Sequence, residues 1–187
     1  MNAPAAIRRR FTTQEYEQIA AAGVFAEDDR VELLEGEIVQ MSPIGPQHSA
    51  CVSRLNRLFQ EKLGNAIIVR VQDPIKLGSH SEPQPDVALV QPRPDFYAGG
   101  HPEPEDVLLL VEVADSSLSY DRDLKLPLYA RAGIAEVWLV TLLSQTIESF
   151  RGPSEMGYGE RREARRGESV GALNLPGVVL SVAEILG

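Results

Sequence analysis

At 187 residues the chain is long enough to bury most of the apolar surface its unfolded form would expose, and its length fits one domain rather than two. A composition 43% hydrophobic and 24% charged excludes a disordered polymer, and no apolar run approaches the roughly 18 residues that cross a bilayer as a helix. The net charge of −9 counts against a generally basic, phosphate-attracting surface, so any contact with nucleic acid would depend on how the charge is distributed.

The opening residues, MNAPAAIRRR, read as part of a basic tail over 1–11 without the apolar core of a signal peptide, which predicts a cytoplasmic protein with no membrane partner. Thr12 and Glu15 have capping-box spacing, and Tyr16, Ile19 and Ala20 recur at helical intervals until Gly23, so a first helix should end near residue 22. Val31 to Leu34 and Glu37 to Met41 are short strand-like runs around Glu35-Gly36, the signal of a β-hairpin. From Pro46 to Leu63 the apolar positions Val52, Leu55, Leu58, Phe59 and Leu63 predict an amphipathic helix that Gly64 stops. Cys51, the single cysteine, falls within it; it should be buried and cannot form an internal disulfide, in keeping with a reducing compartment.

Three segments then read as strands: Ala66 to Val71, Ile75 to Leu77 and Pro85 to Val90. Residues 92 to 105, rich in Pro and Gly, predict a surface loop. Val107 to Val113 is apolar at every position but Glu112, as in a central strand covered on both faces. A helix over 121 to 132 ends before Gly133, and Pro127 must either fall in its first turn or kink it. Ala135 to Val140 is another buried strand, so strand, helix and strand form a right-handed parallel crossover. Gln145 to Arg151 reads as an outer strand, 153 to 168 as a polar loop or hairpin, and Val178 to Leu186 as a strand or short helix. The fold class is α/β (α+β), a mixed central β-sheet flanked by helices.

Glu112 is the chemical anomaly. An unpaired carboxylate in so apolar a strand is costly to desolvate and must be compensated. A partner such as Arg122, or a strand end open to water, would account for it alone. Asp86, however, opens a second apolar strand directly after Pro85, so two neighbouring strands could bring carboxylates to one edge. Converging carboxylates repel unless they share a proton or a cation. A hard cation such as Mg²⁺ suits all-oxygen ligands, keeps several waters and can activate one against a phosphodiester. With His48, His80 and His101 scattered and one cysteine, a zinc cage is not expected.

Pro85-Asp86 followed by Glu112-Val113-Ala114 resembles the signature of the PD-(D/E)XK nuclease superfamily. The ordered set Arg30-Val-Glu-Leu-Leu-Glu-Gly-Glu-Ile-Val, Met41-Ser-Pro, His48, Gln84-Pro85-Asp86-Val87, Val111-Glu112-Val113, Tyr120-Asp121 with Lys125, Tyr129-Ala130, Ala132-Gly133 and Glu136-Val137-Trp138-Leu139-Val140 is similar to the Uma family of restriction-type endonucleases, from about residue 12 to residue 151. The resemblance implies a restriction-endonuclease-like core in a single domain over 12–187. It also implies Mg²⁺, with Mn²⁺ as a substitute, held by Asp86 and Glu112, with Glu32 completing the metal shell directly or through water. One departure stands out: the superfamily's usual lysine, two positions after the acidic residue, is Ala114 here. On the resemblance Lys125, on the following helix, takes its place and could position the attacking water or neutralise charge developing on phosphate. His48, Gln84 and Asp121 are implied as residues that orient the ligands or touch substrate. Read as bare residues, Lys125 could be a surface lysine or a partner of Asp121 or Asp123, Glu32 a solvated strand charge, and Gln84 a hydrogen-bonder at a strand start. Trp138 and Tyr129 read as core.

The function implied is hydrolysis of phosphodiester bonds in nucleic acid, with DNA the expected substrate, by a metal-activated water. Arg54, Arg57, Arg70, Arg122, Lys125 and Arg131 are candidates for one basic face, and a homodimer would supply the two sites that cutting both strands of a duplex needs. Two alternatives compete: an inactive module of the same fold binding nucleic acid or protein, and a glycoside hydrolase using the two carboxylates. An aromatic content of 6% disfavours the sugar-stacking cleft of the latter.

Overall fold

Strand β5 (Val107–Ala114) is the axis of the fold in the computed structural model, which describes residues 8–26 and 28–187; residues 1–7 of the expected basic tail lie outside that range. Leu109, Val111 and Val113 enter one core, while Leu110 and Ala114 enter another on the opposite face. With both faces covered, the strand needs apolar residues at nearly every position. Around it lies a six-stranded sheet in the order β3 (Ile68–Val71), β4 (Val87–Val90), β5, β6 (Glu136–Thr141), β7 (Thr146–Ser154) and β8 (Gly157–Arg165). Only β5 and β6 are parallel; every other pair is antiparallel, so the sheet is mixed as expected. The parallel pair requires a crossover, and the helical segment between Leu118 and Arg131 supplies it.

On one face, helix α2 (Pro46–Leu63) lays Cys51, Val52, Leu55 and Phe59 against the sheet, with the Phe59 and Trp138 rings 6.1 Å apart. Strands β9 (Ser169–Gly171) and β10 (Val179–Ser181) and helix α5 (Val182–Leu186) complete that layer through Val170, Leu180 and Ile185. Each such fully buried aliphatic or aromatic side chain contributes roughly 1.5–3 kcal/mol. On the other face, α4 (Leu126–Arg131) packs Leu126 and Tyr129 over Leu110, Val137 and Leu139.

Helix α1 (Thr13–Ala21) is capped as its sequence predicts, Thr12 accepting from the Glu15 N–H at 3.1 Å while Glu15 accepts from the Thr12 N–H at 3.0 Å. In the hairpin of β1 (Val31–Leu34) and β2 (Glu37–Gln40), Glu35 and Gly36 have φ of 49° and 80°, the signs a tight two-residue hairpin turn demands. Gly36 is required twice over, since a Cβ there would lie 2.5 Å from that of Arg10.

Four details differ from the sequence reading. Ile75–Leu77 is no strand: hemmed in by Pro74 and Gly78, it folds back irregularly, Ile75 N donating to Pro83 O and Leu77 N to Ser81 O. The crossover helix starts earlier, with α3 (Leu118–Tyr120), and passes Asp121–Lys125 as a π-helical turn before α4. Pro127 explains the widened turn, because its missing N–H and its ring do not fit a regular α-helical interior. β7 is interior and β8 the edge; the polar GYGERREAR of β8 hides a strand because most of its side chains are exposed. β9 was not foreseen, and the last segment is both strand and helix. Among the described residues no helix is long and apolar enough to cross a membrane.

Candidate active site

Antiparallel pairing of Val87 with Val111 puts Asp86, just ahead of β4, beside Glu112 at one edge of the sheet. The Asp86 N–H donates to Glu112 Oε2 at 3.4 Å, and the Val113 N–H donates to Asp86 Oδ2 at 2.8 Å. From the first turn of α2, His48 Nε2 stands 3.0 Å from the same Oδ2, and Gln72 Nε2, just beyond β3, donates to Oδ1 at 3.2 Å. The crossover helix contributes from the opposite side. Lys125 and Tyr129, four residues apart and so on one helical face, reach Glu112 Oε1 at 3.1 Å and 2.5 Å. Asp121, four residues before Lys125, accepts from Ser117 Oγ at 2.6 Å.

Glu32 of β1 approaches Lys125 from behind, 3.4 Å from its Nζ. Both Glu32 oxygens are also occupied, one by the Gln84 N–H at 2.9 Å and the other by the Tyr120 hydroxyl at 2.6 Å. The Gln84 side chain donates to Val31 O at 3.1 Å, tying the hairpin to the approach to β4. All seven residues singled out from the sequence (Glu32, His48, Gln84, Asp86, Glu112, Asp121 and Lys125) line one cleft of about 200 Å³.

Charge in this cleft is unbalanced. Glu32, Asp86, Glu112 and Asp121, all buried, surround one buried ammonium, that of Lys125. Burial pushes the Glu112 carboxyl up to about 8, Lys125 opposing and Asp121 and Asp86 adding to the rise. Burial also drives Asp86 upward, but the hydrogen bonds from His48 and Val113 outweigh it and hold Asp86 below the usual carboxylate range. Burial would lower Lys125, yet the surrounding carboxylates raise it above the ordinary lysine value. Asp121 is raised, chiefly by burial. Such an excess of anionic groups in a partly dry site favours a bound cation.

The donor set fits a hard one. Asp86 and Glu112 each have one oxygen held by two close donors, whereas the other accepts only a single longer bond, 3.2 Å for Asp86 Oδ1 and 3.4 Å for Glu112 Oε2. Two lightly held carboxylate oxygens suit Mg²⁺, which is commonly bound through one or two carboxylates and keeps several waters. Among the described residues no group of three or more His, Cys, Asp or Glu side chains is arranged to hold a metal ion. What the residues fit is therefore a two-carboxylate site with Lys125 between it and Glu32. The second ring nitrogen of His48 is buried without a partner among the described residues.

Tyr129 is core, as its sequence suggests, but its hydroxyl ends on Glu112, a role the spacing of Lys125 and Tyr129 could have indicated. Gln72, Ser117 and the hydroxyl of Tyr120 also escaped sequence reasoning. Arg122 does not compensate Glu112; it pairs with Glu148. Among the other basic residues singled out, Arg57 pairs with Glu61, Arg70 with Asp73 and Arg131 with Glu35, while Arg54 donates to the carbonyls of Ile185 and Leu186.

A family model described as "Uma2: Putative restriction endonuclease" matches residues 13–183. A solved structure described as "a putative nuclease belonging to DUF820 from Anabaena variabilis ATCC 29413" is similar with a TM-score of 0.72 at 16% identity, over 94% of this chain and 97% of that one. At that identity the likeness is one of fold, the fold of a mixed sheet between helices. No curated protein matches the chain.

Proposed function

The chain belongs to the Uma2 family, and from that membership we propose that residues 12–187 form a single Mg²⁺-dependent endonuclease domain hydrolysing phosphodiester bonds of nucleic acid, DNA in the first instance. One observation carries this reading: Asp86 and Glu112 meet at a sheet edge, each with one lightly held oxygen, in a cleft where Arg30 and Lys125 do not balance the carboxylates.

Held by Asp86 and Glu112, Mg²⁺ or Mn²⁺ would supply a Lewis acid and a water of lowered pKa. The chain's own residues hold the rest of the arrangement rigid. Val113 N–H and His48 fix one edge of Asp86, and Tyr129 fixes Glu112 from within the core. Lys125 stays protonated among Glu112, Glu32 and the Gln84 carbonyl, three acceptors for its three N–H groups, so it would act on an oxygen arriving in the cleft as a fixed positive charge. Glu32, locked by Tyr120 and Gln84, serves to hold that ammonium in place. Gln84 and Asp121 stand on the cleft wall where a backbone phosphate or sugar would pass.

The test is calorimetric titration of Mg²⁺ and Mn²⁺ into wild type, Asp86→Asn and Glu112→Gln, with plasmid nicking measured on the same samples. Wild type should bind and nick, and both variants should lose the two properties while keeping their fold. Lys125→Met should lose nicking and retain metal binding. Folded wild-type protein that neither binds metal nor nicks would leave a module of nuclease fold whose business is binding nucleic acid or protein.

A further inference from the structure

Four strands end at one sheet edge beside the cleft. Ala114 of β5 neighbours Thr141 of β6, Thr141 faces Thr146 of β7, and Thr146 faces Arg165 of β8. At the usual spacing between strands this row runs about 15 Å away from the strand that carries Glu112.

The surface along it is concave. One hollow lies between the β6–β7 turn and the start of α2, lined by Gln145 and Arg166 and by Pro46, the neighbour of Gly45 in the cleft. A second, of about 680 Å³, shares Gln145 and Arg166 and continues along Arg165, Arg161 and Arg122. With Arg54, the two hollows hold five arginines against two glutamate side chains, Glu148 and Glu163, on a chain whose net charge is −9. Glu148 is buried under Arg122 and Arg161, and Glu163 is shared between Arg161 and Arg165. Arg166 donates through Nε to the amide oxygen of Gln145 at 3.0 Å and through its other arm to the Gly187 backbone oxygen at 2.7 Å, with no Asp or Glu side chain paired to it among the described residues. A polyanion approaching an otherwise acidic protein would be drawn to this edge.

We propose that the edge is a phosphate track: a nucleic-acid strand whose scissile bond lies in the cleft continues past the β6–β7 turn, with its phosphates on Arg166, Arg165 and Arg161. The proposal rests on the nuclease reading of the cleft, which supplies the strand's other end. Its length fits, since about 15 Å spans about four phosphates of one strand. Guanidinium groups suit the task because they grip phosphate oxygens in pairs, and such contacts position a strand without reading its sequence.

The experiment is anisotropy of a short fluorescent DNA duplex in EDTA over a series of salt concentrations, so that binding is read without cleavage. The double variant Arg165→Gln/Arg166→Gln should bind at least tenfold more weakly, with a log–log salt slope shallower by about 2 for two lost phosphate contacts. Both residues are exposed, so the fold should stand, and Mg²⁺ titration of the double variant should match wild type. Arg93→Gln, on the loop after β4, removes the same charge elsewhere and should bind as wild type does. Wild type that fails to bind the duplex, or a double variant that binds with unchanged affinity and slope, overturns the track. Binding lost in the double variant while wild type nicks nothing would retain the track and remove the nuclease.

Discussion

Glu112 and Glu136 are both buried glutamates on adjacent central strands, yet they are resolved in opposite ways. Glu136 is saturated: Arg151, its cross-strand neighbour, donates twice to Oε1 at 2.9 and 2.7 Å, Trp138 Nε1 donates to the same oxygen at 2.9 Å, and the Leu173 N–H takes Oε2 at 2.5 Å. One carboxylate meets one guanidinium, and the bond to Leu173 ties the segment after β9 to the sheet. At Glu112 the ratio is reversed: it and three other carboxylates, Glu32, Asp86 and Asp121, share the one ammonium of Lys125, and oxygens are left lightly held. Burial of an acid is thus no sign of function in itself. What separates a staple from a site is whether neighbouring charges and donors close the account.

The largest effect should come from breaking the staple. Glu136→Ala leaves Arg151 largely buried without its acid and should cost about 3–5 kcal/mol in denaturant unfolding, with Mg²⁺ binding unchanged in whatever remains folded. Next, Mg²⁺ at a hundred times its Kd should stabilise wild type by about 2.7 kcal/mol. Glu112→Gln should lose that increment entirely; an equal increment in the variant would put the metal elsewhere.

Glu82 sharpens the contrast as a third case, buried with one oxygen unpartnered among the described residues and the His101 imidazole, which burial holds below the ordinary histidine value, 3.9 Å away. Burial, then the charge of Glu17, pushes its carboxyl up to about 7 from an ordinary 4.5. A carboxyl raised on folding contributes stability that is complete below the unfolded value and lost as pH rises through the folded one. Glu82 should therefore cost the fold about 2 kcal/mol between pH 5 and pH 7. Urea melts of Glu82→Gln should show that loss removed; equal pH slopes in variant and wild type would mean that Glu82 stays ionised. Smallest is Thr12→Ala at the N-terminus of α1, where losing one satisfied cap should lower stability by about 1 kcal/mol at every pH.

Much of this was legible because sequence period and burial agree. The spacing within Pro46–Leu63 gave α2 to the residue, and Glu112 stood out because nothing else in its strand is polar. Asp86 and Glu112 were nameable as a pair since each interrupts an apolar strand at its end. The association of Glu32 with Lys125 and Tyr120 joins residues far apart in sequence, and no local pattern encodes it. β8 was obscure for a different reason: an edge strand with most side chains in water has no apolar alternation to read. Pro127 signalled a disruption in the helix but not its form, because whether a helix kinks, starts late or widens is decided by what it must reach.

The widened turn at Asp121–Lys125 makes the candidate site sensitive to chain length as well as to residue identity. Leu126 N donates to Asp121 O, five residues back, so the turn holds one residue more than an α-helical turn would. Deleting one residue there would remove the spare position and rotate everything before it by about 100° about the helix axis relative to α4. Lys125 and Tyr129 would stay on Glu112, while Tyr120 and Asp121 would swing away from Glu32 and the cleft. The two ends of the helix are in phase with the same cleft only because one residue is spare.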